Sequence, residues 1–237
     1  MTDLRELHFF ATPEHNCSYI EGLKAKTLFV DPQTLVPDET YSQLSDLGFR
    51  RSGKHIYRPH CDNCQACISV RIPVELFKPN KTQKRILNKN KDISVNIVKP
   101  RFTEAYFKLY SDYISARHAD GDMYPPTKDQ FHSFLVDGNQ ETFFYEYFLD
   151  GELIGLSVVD HLKKGLSATY TFYNPSDAYQ KRSLGTFAIL WQIQETLNRG
   201  QAYLYLGYWV KECRKMRYKI SYHPLEFLID GQWILVR

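Results

Sequence analysis

The chain of 237 residues has no apolar run near the roughly 18 residues that a membrane-spanning helix needs, which excludes a helical membrane protein. Residues 1–10 hold Asp3, Arg5 and Glu6 and lack the apolar stretch of a secretory leader, so the protein is expected to be soluble and cytoplasmic. Its five cysteines are an odd number, and Cys61, Cys64 and Cys67 fall within seven residues, which argues against a secreted disulfide scaffold. There is no internal repeat and no low-complexity tract. Acids are scarce in one place. Between residues 50 and 91, Asp62 and Glu75 stand against eleven Lys or Arg, a net +9 that leaves −6 for the rest of a chain totalling +3. Dense positive charge interleaved with His55, Tyr57 and His60 is an electrostatic footprint for a polyanion, most plainly nucleic acid.

Aromatic side chains are plentiful, with 17 Tyr, 15 Phe and 3 Trp, in a chain long enough to bury a large core. The most regular stretch runs from residue 142 to residue 207. Extended runs at 142–149, 153–159 and 166–173 are separated by Asp150-Gly151 and Lys163-Lys164-Gly165, both tight-turn signals. After Asn174-Pro175 and Arg182-Ser183-Leu184-Gly185, the residues Phe187, Leu190, Trp191 and Leu197 recur at helical spacing around Gln194, and Arg199-Gly200 ends the helix. Residues 202–206 read as another strand. The order predicts an α+β fold in which a loop feeds one helix N-terminus. Free N–H groups and the positive dipole end there suit an anionic or carbonyl-bearing ligand. With residues 180–186 opening the helix, the stretch resembles the GCN5-related N-acetyltransferases, whose (Arg/Gln)-x-x-Gly-x-(Gly/Ala) loop grips the pyrophosphate of coenzyme A. Arg182 and Gly185 fit that pattern, and Phe187 stands where the second small residue belongs. The resemblance implies a mixed sheet flanked by helices.

The amino-terminal half is less periodic. Residues 28–30 form a short strand candidate, and Asp38 caps a short helix with Tyr41, Leu44 and Leu47 on one face, closed by Gly48. Cys61-x-x-Cys64-x-x-Cys67 has a spacing that lets thiolates chelate one metal, with Cys17, His60 or His15 as the fourth ligand. Two readings stay open: structural zinc or an iron–sulfur cluster on Cys17, Cys61, Cys64 and Cys67, or a packed, reduced cysteine turn without metal. Residues 70–72 are a strand that Pro73 ends. Residues 78–91 read as a basic helix laid on a phosphate backbone, with Lys81, Lys84 and Arg85 as contacts. Residues 94–98 return as a strand.

Pro100 separates a smaller, basic, cysteine-containing domain (1–100) from an acyltransferase-like domain (101–237). In the second, a helix from Thr103 buries Phe102, Tyr106, Leu109, Tyr110 and Tyr113. The polar loop 117–126 follows, and Thr127 with Gln130 forms a capping box. Residues 211–219 are a second basic run, with Lys215 as a further RNA contact, and residues 225–229 and 233–236 form a last hairpin around Asp230-Gly231.

Several long strings point to one family. They are Tyr57-Arg58-Pro59-x-Cys61-x-x-Cys64-x-Ala66-Cys67, Arg71-Ile72-Pro73-Val74, Arg117-His118-Ala119-Asp120-Gly121-Asp122-Met123, Gly165-Leu166-Ser167-Ala168-x-Tyr170-Thr171-Phe172-Tyr173, Arg182-Ser183-Leu184-Gly185 and Tyr203-Leu204-Tyr205-Leu206-Gly207-Tyr208-Trp209. Together they resemble the arginyl-tRNA–protein transferase family, and more narrowly its bacterial branch. The resemblance implies transfer of leucine from leucyl-tRNA to proteins with an N-terminal Asp or Glu, which marks them for degradation. Eukaryotic relatives carry a Cys-x-x-Cys linked to an iron–sulfur cluster, whereas only Cys17 stands in that place here and Ile20 occupies the position of its partner.

The chemistry so implied needs no cofactor, because the donor ester is already activated. The acceptor amine, with a reference pKa near ~7.7–8.0, must lose its proton. The tetrahedral intermediate needs N–H donors and the ribose oxygen needs a proton. The expected catalytic residues are Asp160, as base or orienter of the amine, Tyr170 and Tyr173 on the adjoining strand, and the backbone after Arg182 up to Gly185. Arg117 and His118 are expected to hold the acidic acceptor, with Arg182 as the alternative and with Asp120, Asp122 and Tyr208 beside them. A coenzyme A-dependent N-acetyltransferase is the first rival, and it leaves the basic block unused. A non-enzymatic, metal-stabilised nucleic-acid-binding module is the second, and it leaves the acyltransferase-like half unused.

Overall fold

A computed structural model describes residues 4–138 and 140–236. Met1, Thr2 and Asp3 of the amino-terminal segment lie outside them. Asp150 and Gly151 both take positive φ, 50° and 82°, which a two-residue hairpin turn demands. Thr142–Leu149 therefore folds straight back along Glu152–Leu162, and the chain returns again as Gly165–Tyr173. The helix Leu184–Asn198 crosses over to Tyr203–Trp209, which lies parallel to Gly165–Tyr173. A parallel pair needs such a crossover, so the predicted element order and the observed topology explain each other.

These strands form the middle of an eight-stranded mixed sheet. Its order is Gln232–Val236, Leu225–Ile229, Ile68–Pro73, Tyr203–Trp209, Gly165–Tyr173, Glu152–Leu162, Thr142–Leu149, Ser94–Val98. Ile68–Pro73 and Ser94–Val98 thus belong to the large sheet, and the division expected at residue 100 does not separate two sheets. A smaller antiparallel sheet holds Phe9–Ala11, Thr27–Val30, His55–Pro59 and Arg50–Ser52 in that order. Beside it lies the helix Asp38–Asp46. Asp38 is not the cap expected there, because Pro37 takes that position; its carboxylate instead accepts from the Glu141 N–H at 2.9 Å.

Strand alternation sends aromatic side chains to both faces of the large sheet. Tyr145 and Tyr147 join Ile154, Leu166 and Leu204 under Phe187, Leu190 and Ile193 of the helix Leu184–Asn198. Phe144, Leu156, Val158 and Phe172 point the other way and bury Tyr106, Leu109, Tyr110 and Ile114 of the helix Glu104–Arg117. Each such side chain contributes about 1.5–3 kcal/mol by leaving water, so the two helices clamp the sheet and hold its central strands in register. Among the described residues, no helix is long and apolar enough to cross a membrane.

Candidate active site

The parallel pair is short. Gly165, Leu166 and Ser167 face Tyr203, Leu204 and Tyr205, and the pairing stops there. Tyr203–Trp209 then bulges between Tyr205 and Gly207, with Gly207 at φ +77°. A bulge bends its strand, and the result is a fork between residues 168–173 and 207–209. Arg50 enters this fork from the small sheet. It donates to Ser167 Oγ and to the Ala168 carbonyl, each at 2.9 Å, which satisfies a backbone acceptor that the parting strands leave without a ladder partner. A Cβ on Gly207 would lie 3.0 Å from Arg50 Nε, so glycine there serves both the backbone turn and the close approach.

The walls of the fork come from four elements. Tyr113, in the helix Glu104–Arg117, meets the Tyr173 ring at 5.0 Å and the His118 ring at 5.3 Å. Tyr173 lies against the start of the helix Leu184–Asn198, where a Cβ on Gly185 would come within 3.1 Å of its ring. That helix has no side-chain cap, and Ser183 before it sits at φ +53°, a left-handed conformation that costs an L-residue about 1–2 kcal/mol. The first N–H groups of the helix are therefore free of side-chain competition. Tyr170, on the strand that parts, carries a buried hydroxyl with no hydrogen-bond partner among the described residues. Tyr218 and Lys219 arrive on the 3-10 helix Arg214–Ser221. The Lys219 ammonium is buried and donates to the Tyr208 carbonyl. Burial, and then the Arg50 charge, push its pKa down to about 7, with Cys213 opposing.

The structure sets Tyr173 against Gly185, packs Tyr170 among Tyr110, Phe134 and Phe172 and sends other expected residues elsewhere. Asp160 is fully buried. Its carboxylate accepts from Arg51 Nε at 2.9 Å and Nη2 at 2.6 Å, Tyr41 Oη at 2.9 Å, Thr142 Oγ1 at 2.8 Å and Thr169 Oγ1 at 3.0 Å. Burial alone would raise its pKa, but Arg51 and the hydroxyls bring it below the ordinary value. A carboxylate so saturated and so acidic does not fit the role of base or amine orienter; it joins the small sheet to the large one. Arg182 turns away from the fork to pair with Asp92 through two contacts of 2.9 Å and with the Lys89 carbonyl at 3.2 Å. Tyr208 gives its hydroxyl to the Gly48 carbonyl at 2.8 Å, a structural tie and not an open substrate contact. Asp120 pairs with Lys215 at 3.0 Å, so a residue expected at the acceptor and one expected at RNA hold each other. Arg117 and Asp122 are exposed, and His118 is half-buried.

Sequence reasoning missed Arg50, Tyr113, Tyr218 and Lys219. Their signals were faint: a double arginine before a glycine turn, and a lysine that closes a basic run.

A basic face adjoins the fork. The helix Lys81–Lys89 carries a full capping box, Asn80 with Gln83, and Gln83 Nε2 also donates to the Ser221 carbonyl at 2.9 Å. This contact docks the helix beside Arg214–Ser221. Lys81, Lys84 and Arg85 on one element, and Arg214 and Arg217 on the other, are all exposed, and none of them has a carboxylate partner among the described residues. Free cations on adjoining helices suit a phosphate backbone.

The cysteines gather on the far side of Tyr208. Cys17, Cys61, Cys64 and Cys67 line a cleft of about 610 Å³ with Tyr19, Tyr57 and Tyr208. Burial, and then the charges of Cys17, Cys61, Cys64 and Cys213, push the Cys67 thiol up to about 12. Among the described residues, no three His, Cys, Asp or Glu side chains are placed to hold a metal ion. No step below passes through a metal or a cluster.

The chain matches two family descriptions, “Arginine-tRNA-protein transferase, N terminus” over residues 15–85 and “Arginine-tRNA-protein transferase, C terminus” over residues 105–229. It is 54% identical over 233 residues to an aspartate/glutamate leucyltransferase of Marinobacter nauticus, covering 98% of each chain. It is 53% identical over 236 residues to the enzyme of the same name in Pseudomonas fluorescens, covering 100% of each. Among solved structures, L-PGS from Bacillus licheniformis shares 10% identity at a TM-score of 0.45, over 61% of this chain and 47% of that one; a likeness of that size says nothing of the site.

Proposed function

The chain belongs to the arginine-tRNA–protein transferase family, and from that premise we infer that it moves leucine from leucyl-tRNA to the amine of proteins beginning with Asp or Glu, creating an N-degron. The observation that carries this reading is similarity to aspartate/glutamate leucyltransferases along the whole chain. The parted parallel strands beside an unpaired basic face agree with it. The enzyme works on tRNA in the cytoplasm.

In this reading, tRNA phosphates rest on Lys81, Lys84, Arg85, Arg214 and Arg217, and the aminoacylated end enters the fork. The acceptor amine attacks the leucyl ester carbonyl, a C–N bond forms, and the C–O bond to ribose breaks. The ammonium proton goes to solvent beforehand; in the transfer itself one proton leaves the neutral amine and one reaches the ribose oxygen, so that step consumes no acid or base. The uncapped N–H groups at the start of the helix Leu184–Asn198 are the donors for the oxyanion. Tyr170 offers a buried hydroxyl that only the substrates would pair. The loop 117–122, held by Asp120 to Lys215, borders the acceptor's path. Most of the rate then comes from holding two substrates in line, and no cofactor is required.

Radiolabelled leucyl-tRNA and a peptide beginning with Asp test the reading. Labelled Leu-Asp peptide is expected, without any need for acetyl-coenzyme A. Label that stays on the tRNA, or equal transfer from arginyl-tRNA, would refute it.

A further inference from the structure

Two cations meet at the fork without an anion between them. Arg50 spends two of its N–H groups on Ser167 Oγ and the Ala168 carbonyl, and the buried Lys219 spends one on the Tyr208 carbonyl. Among the described residues, neither has a carboxylate at salt-bridge distance. Asp160 and Asp46, acids of the same region, are committed to Arg51 and to Arg71 and Lys164. An uncompensated buried ammonium costs several kcal/mol, and Arg50 adds repulsion, as the depressed pKa of Lys219 reflects.

The place is nevertheless open. Tyr218, next to Lys219, keeps 48% of its surface accessible, while desolvation raises the pKa of its hydroxyl and Arg50 opposes that rise. A small anion brought in from outside would satisfy both cations at once.

Resting on the leucyl-transfer reading, we propose that Arg50 and Lys219 form the receptor for the acidic side chain of the acceptor's first residue. The guanidinium presents the N–H groups that Ser167 and Ala168 leave unused, and the ammonium supplies the second charge. The flexible lysine stem accommodates the one methylene by which Glu exceeds Asp. Holding the carboxylate here places the amine on the same residue at the parting strands, where the ester must lie. Arg117, exposed on the far end of its helix, is the weaker candidate for that role. RNA phosphate is the other anion at hand, but exposed and unpaired cations already serve it on the helices Lys81–Lys89 and Arg214–Ser221.

The test compares kcat/KM for peptides beginning with Asp and with Asn, using leucyl-tRNA as donor. Transfer by the wild type to the Asp peptide secures the functional reading, and its absence sinks that reading whatever the variants do. Lys219→Met is expected to lower the Asp-to-Asn ratio at least tenfold with the KM for leucyl-tRNA unchanged, and Lys219→Arg is expected to restore the ratio. Equal loss on both peptides would make Lys219 merely structural. A raised KM for leucyl-tRNA with the ratio intact would assign the cations to phosphate. Either outcome overturns the proposal. Should Lys219→Met fail to fold, Arg50→Lys decides by calorimetry with Asp-Ala and Asn-Ala dipeptides. Its binding ratio should fall at least fivefold from the wild-type value, and an unchanged ratio overturns the proposal.

Discussion

Arg50 and Arg51 are consecutive in one strand of the small sheet, and strand alternation sends them to opposite sides. Arg51 is 1% exposed and locked onto Asp160 by contacts of 2.6 to 3.0 Å. Arg50 reaches the fork, where it meets a hydroxyl, a carbonyl and a second cation, with no acid beside it. In the first region every lone pair of the carboxylate has a donor, so the charges serve the fold. In the second the charges are incomplete until a substrate arrives. The number of partners a buried charge already has separates the two roles, whereas burial alone does not.

The largest expected effect breaks the first region. Asp160→Asn leaves the Arg51 charge buried and unpaired, which costs about 3–5 kcal/mol and lowers Tm by about 6–20 °C in a thermal melt. A general base would show the opposite pattern, an unchanged Tm with a collapsed kcat. The pH dependence of stability follows in sign. The Asp160 pKa is depressed in the fold, so its contribution is present above the unfolded carboxyl pKa of about 3.9 and is lost as pH falls through the folded value. Acid melts should show Asp160→Asn converging on the wild type at the lowest pH, and a gap that stays constant from pH 7 downward would contradict the linkage.

A smaller effect tests the exposed cations against the buried ones. Changing Lys81, Lys84 and Arg85 together to Ala is expected to weaken tRNA binding at least tenfold at low salt. It should flatten the log–log salt slope by about 2 to 3, with Tm within about 2 °C of the wild type. An unaltered slope removes this helix from the RNA surface.

The smallest change sharpens the second region. Tyr170→Phe deletes a hydroxyl with no partner among the described residues, so stability should stay within about 0.5 kcal/mol. Turnover of leucyl-tRNA should fall roughly tenfold, because the missing hydrogen bond is one made only with substrates. Normal turnover would leave Tyr170 as a core side chain.

Local patterns were legible wherever a short-range rule decides the outcome. The turn Asp150-Gly151, the helix starts at Thr103 and Thr127 and the helix end at Gly200 all depend on residues within four positions of one another. From them follow the strand and helix order and hence the parallel crossover through the helix Leu184–Asn198. Family membership was legible as well, because it is carried by contiguous strings.

The sequence by itself therefore determined the elements, their order, the basic face and the family of this protein. Only the tertiary structure decided what each charge does. Asp160 finds its partners at Arg51 and Tyr41, 109 and 119 positions away, and Arg182 finds Asp92 across 90. At such distances nothing in a sequence pattern sets which acid meets which base. The pairing is imposed when Arg50–Ser52 docks on the large sheet, and a carboxylate that looks free in the sequence becomes saturated while an arginine beside it is left without an acid.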